Sequence, residues 1–223
     1  MCVKIYLRRV LYNMPAASIL PVAIHNNKLY FLFGKENDLE DSAKGFSDFG
    51  GGVDSGESAI QTATREGSEE LTGFLGTKEM LRKRLKHTGT YKIVYEFPPE
   101  KKDESKKPNT YTVFVFPFDY DESIVEYFNN NHAFLWDRMD KKMLSSTKLF
   151  EKIKIEWFCE DDLKKRSAEY RSFYRDIVDR IIEHTPHIRK FITSRCKTQS
   201  HHAKTIRQMS SSHKRTQNYR GGK

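Results

Sequence analysis

The sequence predicts an α/β layered domain, and three observations point there. Short runs of β-branched and aromatic residues alternate with helical patterns. A single glycine-rich stretch, Gly45 to Glu57, lies where a strand hands over to a helix. No internal repeat is present. At 223 residues the chain suits one embellished domain that can bury a core without disulfides. Its hydrophobic fraction of 37%, with 13% aromatic residues, is enough for a globular body.

In chain order, Ser18–Ile24 and Lys28–Phe33 read as strands joined by a tight connection, His25-Asn26-Asn27. The glycine-rich stretch follows and leads into a helix, where Ser58 and Gln61 have the form of a capping box. Ile60, Ala63, Gly67 and Leu71 give that helix one face to set against a sheet. A short basic helix, Lys78–Lys86, precedes two strands near Tyr91–Phe97 and Tyr111–Phe118. Between them the polar segment Pro98–Asn109 reads as an exposed hairpin extension. Residues Ser123–Phe150 are expected to be partly helical. A strand at Ile153–Phe158 then runs into Glu160-Asp161-Asp162, acids suited to opening a helix. Tyr170, Phe173, Tyr174, Ile177 and Ile181 form the apolar stripe of the last helix.

The formal charge is +9, and eight Lys or Arg residues with no Asp or Glu lie between Thr193 and Lys223. Residues 1–192 are therefore the folded, nearly neutral domain, and 193–223 a basic tail whose composition predicts disorder. Such a tail attracts RNA, and a solubilising or localising role is the alternative. Cys2, Cys159 and Cys196 have neither zinc-site spacing nor disulfide density. The first residues are too interrupted by charge and proline for a signal sequence, and no run is long and apolar enough for a membrane span. A cytoplasmic or nuclear address is expected.

The segment Gly51–Gly73, GGVDSGESAIQTATREGSEELTG, carries the chemistry. On a helix Glu66, Glu69 and Glu70 stand at i, i+3 and i+4 on one face, where like charges repel by a few tenths of a kcal/mol per pair. Divalent cations between them remove that repulsion, and Mg²⁺ favours hard oxygen ligands. The glycines before the helix let backbone approach a metal or phosphate. Arg65 can orient a carboxylate, and Glu57 lies at the edge of the cluster. The alternative is a solvated acidic helix face.

The spacing resembles the Nudix box: Gly51, five residues, Glu57, seven residues, Arg65-Glu66, two residues, Glu69-Glu70. It departs from the pattern at Gly67, where a hydrophobic residue is usual, and at Gly73, one residue late, which implies an insertion at the helix end. The run Lys154–Phe158 with Asp161-Asp162-Leu163 looks like the late strand and helix start of Nudix domains, so the resemblance covers roughly Ala16 to Tyr174. It implies a Nudix-type α/β/α sandwich with a mixed β-sheet, and a Mg²⁺-dependent (or Mn²⁺-dependent) pyrophosphohydrolase. Carried over by position, Glu66, Glu69, Glu70 and the Gly50 carbonyl would hold metal, with Glu57 and Arg65 orienting the set. The general base would be Glu66, Glu151 or Glu156.

For the substrate the sequence leaves several readings open. Phe46, Phe49 and Tyr91 can stack on a base, or belong to the core. Tyr91 lies where dinucleoside-polyphosphate Nudix hydrolases carry a tyrosine. The triple glycine and Glu156-Trp157-Phe158 resemble diphosphoinositol-polyphosphate hydrolases, for which Lys78, Arg82, Lys83, Arg84, Lys86 and Lys92 offer cations. The wording TREGSEELTGFLG is similar to Nudix proteins of large DNA viruses, some of which act on mRNA caps or inositol pyrophosphates. The expected partner is a phosphorylated small molecule or capped RNA, and no membrane. A non-hydrolytic nucleotide- or RNA-binding module of the same fold is the alternative function.

Overall fold

Strand β1 (Ala16–His25) is buried from Ala16 to Ala23, as its nearly continuous apolar run requires of a central strand. The computed structural model describes residues 15–39, 44–98, 109–147 and 150–195. Along one edge β1 runs parallel to β6 (Thr110–Pro117). The other edge is divided. Its first half pairs antiparallel with β4 (Phe49–Gly52), its second with β2 (Lys28–Glu36). Pro21, which has no N–H to donate, falls between Ile19, where β4 ends its pairing, and Val22, where β2 begins. The β1–β2 link is the expected tight turn: Asn26 and Asn27 both have positive φ (48° and 61°), as a two-residue hairpin demands.

β2 also pairs with β3 (Phe46–Ser47) and β7 (Lys152–Cys159), and β5 (Tyr91–Glu96) closes the β6 edge. The result is a mixed seven-stranded sheet. On one face lie α1 (Ala59–Glu70), α2 (Lys78–Thr88) and α3 (Glu122–Trp136). Their Ala63, Leu81, Leu85 and Phe128 pack with Ile19, Leu32, Phe49 and Trp157. A short helix, α4 (Lys141–Thr147), follows. On the other face helix α5, residues 175–195, sets Ile177, Ile181, Ile188 and Ile192 against Phe31, Phe33, Val113 and Phe158. This is the expected α/β/α sandwich.

Some boundaries shift. Glu160–Asp162 forms a short 3-10 turn instead of opening a helix. Helix α5 continues past the expected tail boundary at 192, and the Arg195 guanidinium stacks near the Phe191 ring. Residues 196–223, 1–14 and 99–108 of the expected extension lie outside the described residues. Among those described, no helix is long and apolar enough to cross a membrane.

Candidate active site

The glycine strand β4 and helix α1 are joined by six residues, so the box folds back on itself. Ser58 opens α1, and Gln61 Oε1 accepts both its backbone N–H (3.0 Å) and its hydroxyl (2.6 Å), a local lock that starts the helix at the expected place. Gly67, the odd residue of the pattern, faces Ile19 of β1, and a β-carbon there would collide with Ile19 Cδ1 and Cγ1. The glycine therefore brings the helix unusually close to the sheet. At the other end no insertion is found. Gly73 N–H bonds to Ser68 O and Thr72 N–H to Glu69 O (both 2.9 Å), the two bonds of a Schellman close. Thr72 itself takes the left-handed position at φ 46°, where glycine is usual, with Gly73 (φ 76°) following.

On the outer side of α1, Arg65 gathers the acids. Its Nε donates to Glu57 (3.0 Å), and Nη1 to Glu66 (2.8 Å) and Glu69 (3.3 Å). Nη2 reaches Glu57 (3.1 Å) and pairs with Asp54 (3.2 Å). Arg65 and the Thr62 hydroxyl hold the Glu57 carboxyl down to about 2. The Glu66 carboxylate lies against the bare backbone of Gly51, where a β-carbon would fall 2.5 Å from Oε1. Burial lifts the Glu66 carboxyl above the ordinary glutamate value, and Arg65 pulls against it. Glu69 is the most open of the three, its side chain 61% exposed.

Glu70 turns inward and is 5% exposed. Its Oε2 accepts the Gly50 N–H (2.9 Å), and its Oε1 stands 3.3 Å from the ammonium of Lys152, which is fully buried. Lys152 also donates to Ser47 Oγ (2.9 Å) and pairs with Glu36, which Arg171 pairs with in turn. Burial pushes the Glu70 carboxyl well up, with the Lys152 charge opposing it. Sequence reasoning missed Lys152, Glu36 and Arg171. It missed too the buried Asp48, which accepts from the hydroxyls of Ser18 and Tyr111 and is pushed by burial up to about 6.

The other predicted residues divide. Gly50, proposed for its carbonyl, lies in β4 and gives its N–H to Glu70. Glu151 precedes β7, and its charge bears on Glu70. Glu156 is not brought to the box. It alternates with Ile155 and Trp157, which face α1, and so points to the opposite face, where Arg166 (2.6 Å) and Lys154 (2.7 Å) hold it. Phe49 is wholly buried in the α1-side core and cannot stack on a ligand. Phe46 packs in the opposite core, with its ring 4.9 Å from that of Phe158. Tyr91 also packs on the α5 side, its hydroxyl 2.7 Å from His184 Nδ1. Arg82 is exposed on α2. Arg84 lines a 430 Å³ cleft with Lys83, His87, Thr88, Pro117, Phe118 and Asp119. Ser18 of β1 pairs with Gly50 and Val22 with Pro117, so that cleft lies some four residues, about 13 Å of strand, toward the other end of the sheet.

Among the described residues no three His, Cys, Asp or Glu side chains are gathered closely enough to hold a metal ion. The donor set still fits one chemically. Glu66, Glu69 and Glu70 offer hard oxygens from one helix, beside the glycine run Gly50-Gly51-Gly52 of β4, and the cation now between Glu66 and Glu69 is Arg65.

No protein-family model matches the chain, and no curated protein does. Among solved structures the chain is similar to a C. elegans Ap4A hydrolase at 16% identity, over 78% of this chain and 98% of that one, with a TM-score of 0.45. A Nudix hydrolase from M. smegmatis, RenU, is similar at 14% identity, over 78% and 88%, with a TM-score of 0.49. The NUDIX domain of Shewanella oneidensis NrtR, crystallised with ADP ribose, is similar at 11% identity, over 83% and 99%, with a TM-score of 0.41. Likeness this distant says nothing about activity, which has to come from this chain's own side chains.

Proposed function

We propose that this chain is a metal-dependent hydrolase of phosphorus anhydrides, of the Nudix type. Within that class the reading is a Mg²⁺-dependent pyrophosphohydrolase, also served by Mn²⁺, acting on a diphosphate linkage. Its substrate is nucleotide-like or polyphosphorylated: an mRNA cap, a dinucleoside polyphosphate or a diphosphoinositol polyphosphate. One observation supports this above the others. Glu66 lies against the bare backbone of Gly51, and it shares Arg65 as counter-ion with Glu69, an arrangement an ordinary solvated acidic face does not need.

Glu66, Glu69 and Glu70 would hold the cation. When bound, Mg²⁺ supplies charge neutralisation at the phosphoryl oxygens and a more acidic water. Arg65, tethered by Glu57, keeps the carboxylates from repelling one another beforehand and afterwards orients Glu66. Of the acids named for general base, Glu66 and Glu151 remain candidates, Glu151 because its charge bears on Glu70; Glu156 lies on the opposite face of the sheet. The glycine strand leaves backbone room for a diphosphate to lie against the box.

A Mg²⁺ product assay tests the reading on capped RNA, dinucleoside polyphosphates, nucleoside diphosphate sugars, nucleotides and a diphosphoinositol polyphosphate. Capped RNA is included because the eight cations between 193 and 223 attract a polyanion in a salt-sensitive way. One substrate class is expected to turn over, and Glu66→Gln to lower its rate by at least about 10²-fold. If no class is hydrolysed, the chain is a binding module, a reading favoured by Arg65 and Lys152, which satisfy the box acids without a metal.

A further inference from the structure

Lys152 reaches the box through two irregularities of the sheet. Gly34 faces the α1 side opposite Ile155, and Lys35 pairs with Lys154 on the far side. Strict alternation from Ile155 would send Lys152 to the far side as well. The register shifts between Lys35 and Glu36, however, so Glu36 pairs with Lys152 and Ile153 is passed over. This bulge turns Lys152 back toward α1, the re-aiming that bulges accomplish near functional sites. The stem then needs space, and Gly34 provides it. A β-carbon at 34 would lie 2.9 Å from Lys152 Cγ and 2.8 Å from Phe49 Cε1.

We propose that Lys152 is a positioning residue of the box: it holds Glu70 Oε1 while the Gly50 amide holds Oε2, fixing that carboxylate and the spacing between β4 and α1. The inference rests on reading Glu66, Glu69 and Glu70 as the cation-holding set. A lysine needed only to neutralise Glu36 would be redundant, because Arg171 already pairs with that carboxylate. Lys152 is the cation that meets both Glu36 and Glu70, and the Glu151 charge bears on Glu70 as well, so removing Lys152 leaves buried negative charge uncompensated.

The test uses the full chain as wild type, Lys152→Met, the double variant Glu36→Gln with Lys152→Met, and Ser47→Ala. It reads the melting temperature without metal and Mn²⁺ affinity by electron paramagnetic resonance. Lys152→Met is expected to melt lower and to bind Mn²⁺ at least about 10-fold more weakly. The double variant, which removes the Glu36 charge together with that of Lys152, should regain most of the melting temperature but not the affinity. Recovery of both would overturn the positioning role and leave Lys152 a partner of Glu36 alone. Ser47→Ala keeps the ammonium and removes one of its acceptors. It should weaken Mn²⁺ binding by less than Lys152→Met does, and unchanged affinity there decides against the proposal if the lysine variants fail to fold. Wild type that binds no Mn²⁺ sinks the cation-holding reading itself, and the positioning role with it; binding equal in wild type and Lys152→Met sinks only the latter.

Discussion

Arg65 and Lys152 meet the same row of glutamates from opposite sides, one at the rim and in reach of water, the other sealed in the core. Arg65 is 19% exposed and shared among Glu57, Glu66, Glu69 and Asp54. An ion pair near solvent contributes little and exchanges partners readily. Lys152 is wholly buried, and its partners Glu36 and Glu70 are nearly so. A buried charge cannot be left alone without a large penalty. The row is thus divided by solvent: Glu66 and Glu69 stand at the rim with Arg65, whereas Glu70 is held inside by Lys152 and the Gly50 amide.

The largest effect should come from breaking the sealed side. Lys152→Met removes one partner of a buried charge network and is expected to cost about 3–5 kcal/mol in a urea titration. Asp48 sharpens the contrast, being a buried anion whose close partners, Ser18 and Tyr111, are neutral hydroxyls. Burial raises it from 3.8 to about 6, so the folded state binds the extra proton. The resulting penalty is absent below pH 4, grows as pH rises to about 6, and stays constant above. Asp48→Asn should therefore stabilise the protein at pH 7 by up to about 3 kcal/mol and change nothing below pH 4, as melts across that range would report.

Smaller effects belong to the helix end and the rim. Thr72 occupies a left-handed position, so Thr72→Gly should raise stability by about 0.5–1 kcal/mol, checked by denaturation at neutral pH. Arg65→Gln should cost no more than about 1 kcal/mol, and less at high salt. A loss as large as that for Lys152→Met would erase the distinction between rim and core.

Much of this was legible in the sequence because it is local. The box spacing placed four acids and an arginine on one turn-and-helix unit, and the structure brings Glu57, Arg65, Glu66 and Glu69 into contact. Ser58 and Gln61 announced the helix start. What depended on distant pairing was not legible. Alternation shows that Glu156 and Trp157 face opposite ways, but not which side α1 covers. For Phe49 and Tyr91 the choice between stacking and core stayed open for the same reason, since an aromatic near a glycine run looks alike in a core and in a pocket. Lys152 was hidden by the bulge, which is a property of two strands together. The late Gly73 suggested an insertion because nothing in the sequence says that Thr72 would accept a left-handed backbone.

The rim carboxylates are proposed to accept a divalent cation. The most direct measurement is the melting temperature of metal-free protein titrated with Mg²⁺, for wild type and for Glu66→Gln with Glu69→Gln. A ligand that binds only the folded state raises its stability with concentration, by about 2.7 kcal/mol at a hundred times the dissociation constant. The melting temperature is expected to rise with Mg²⁺ in wild type and to stay flat in the double variant. A flat response in both, or an equal rise in both, would contradict that proposal.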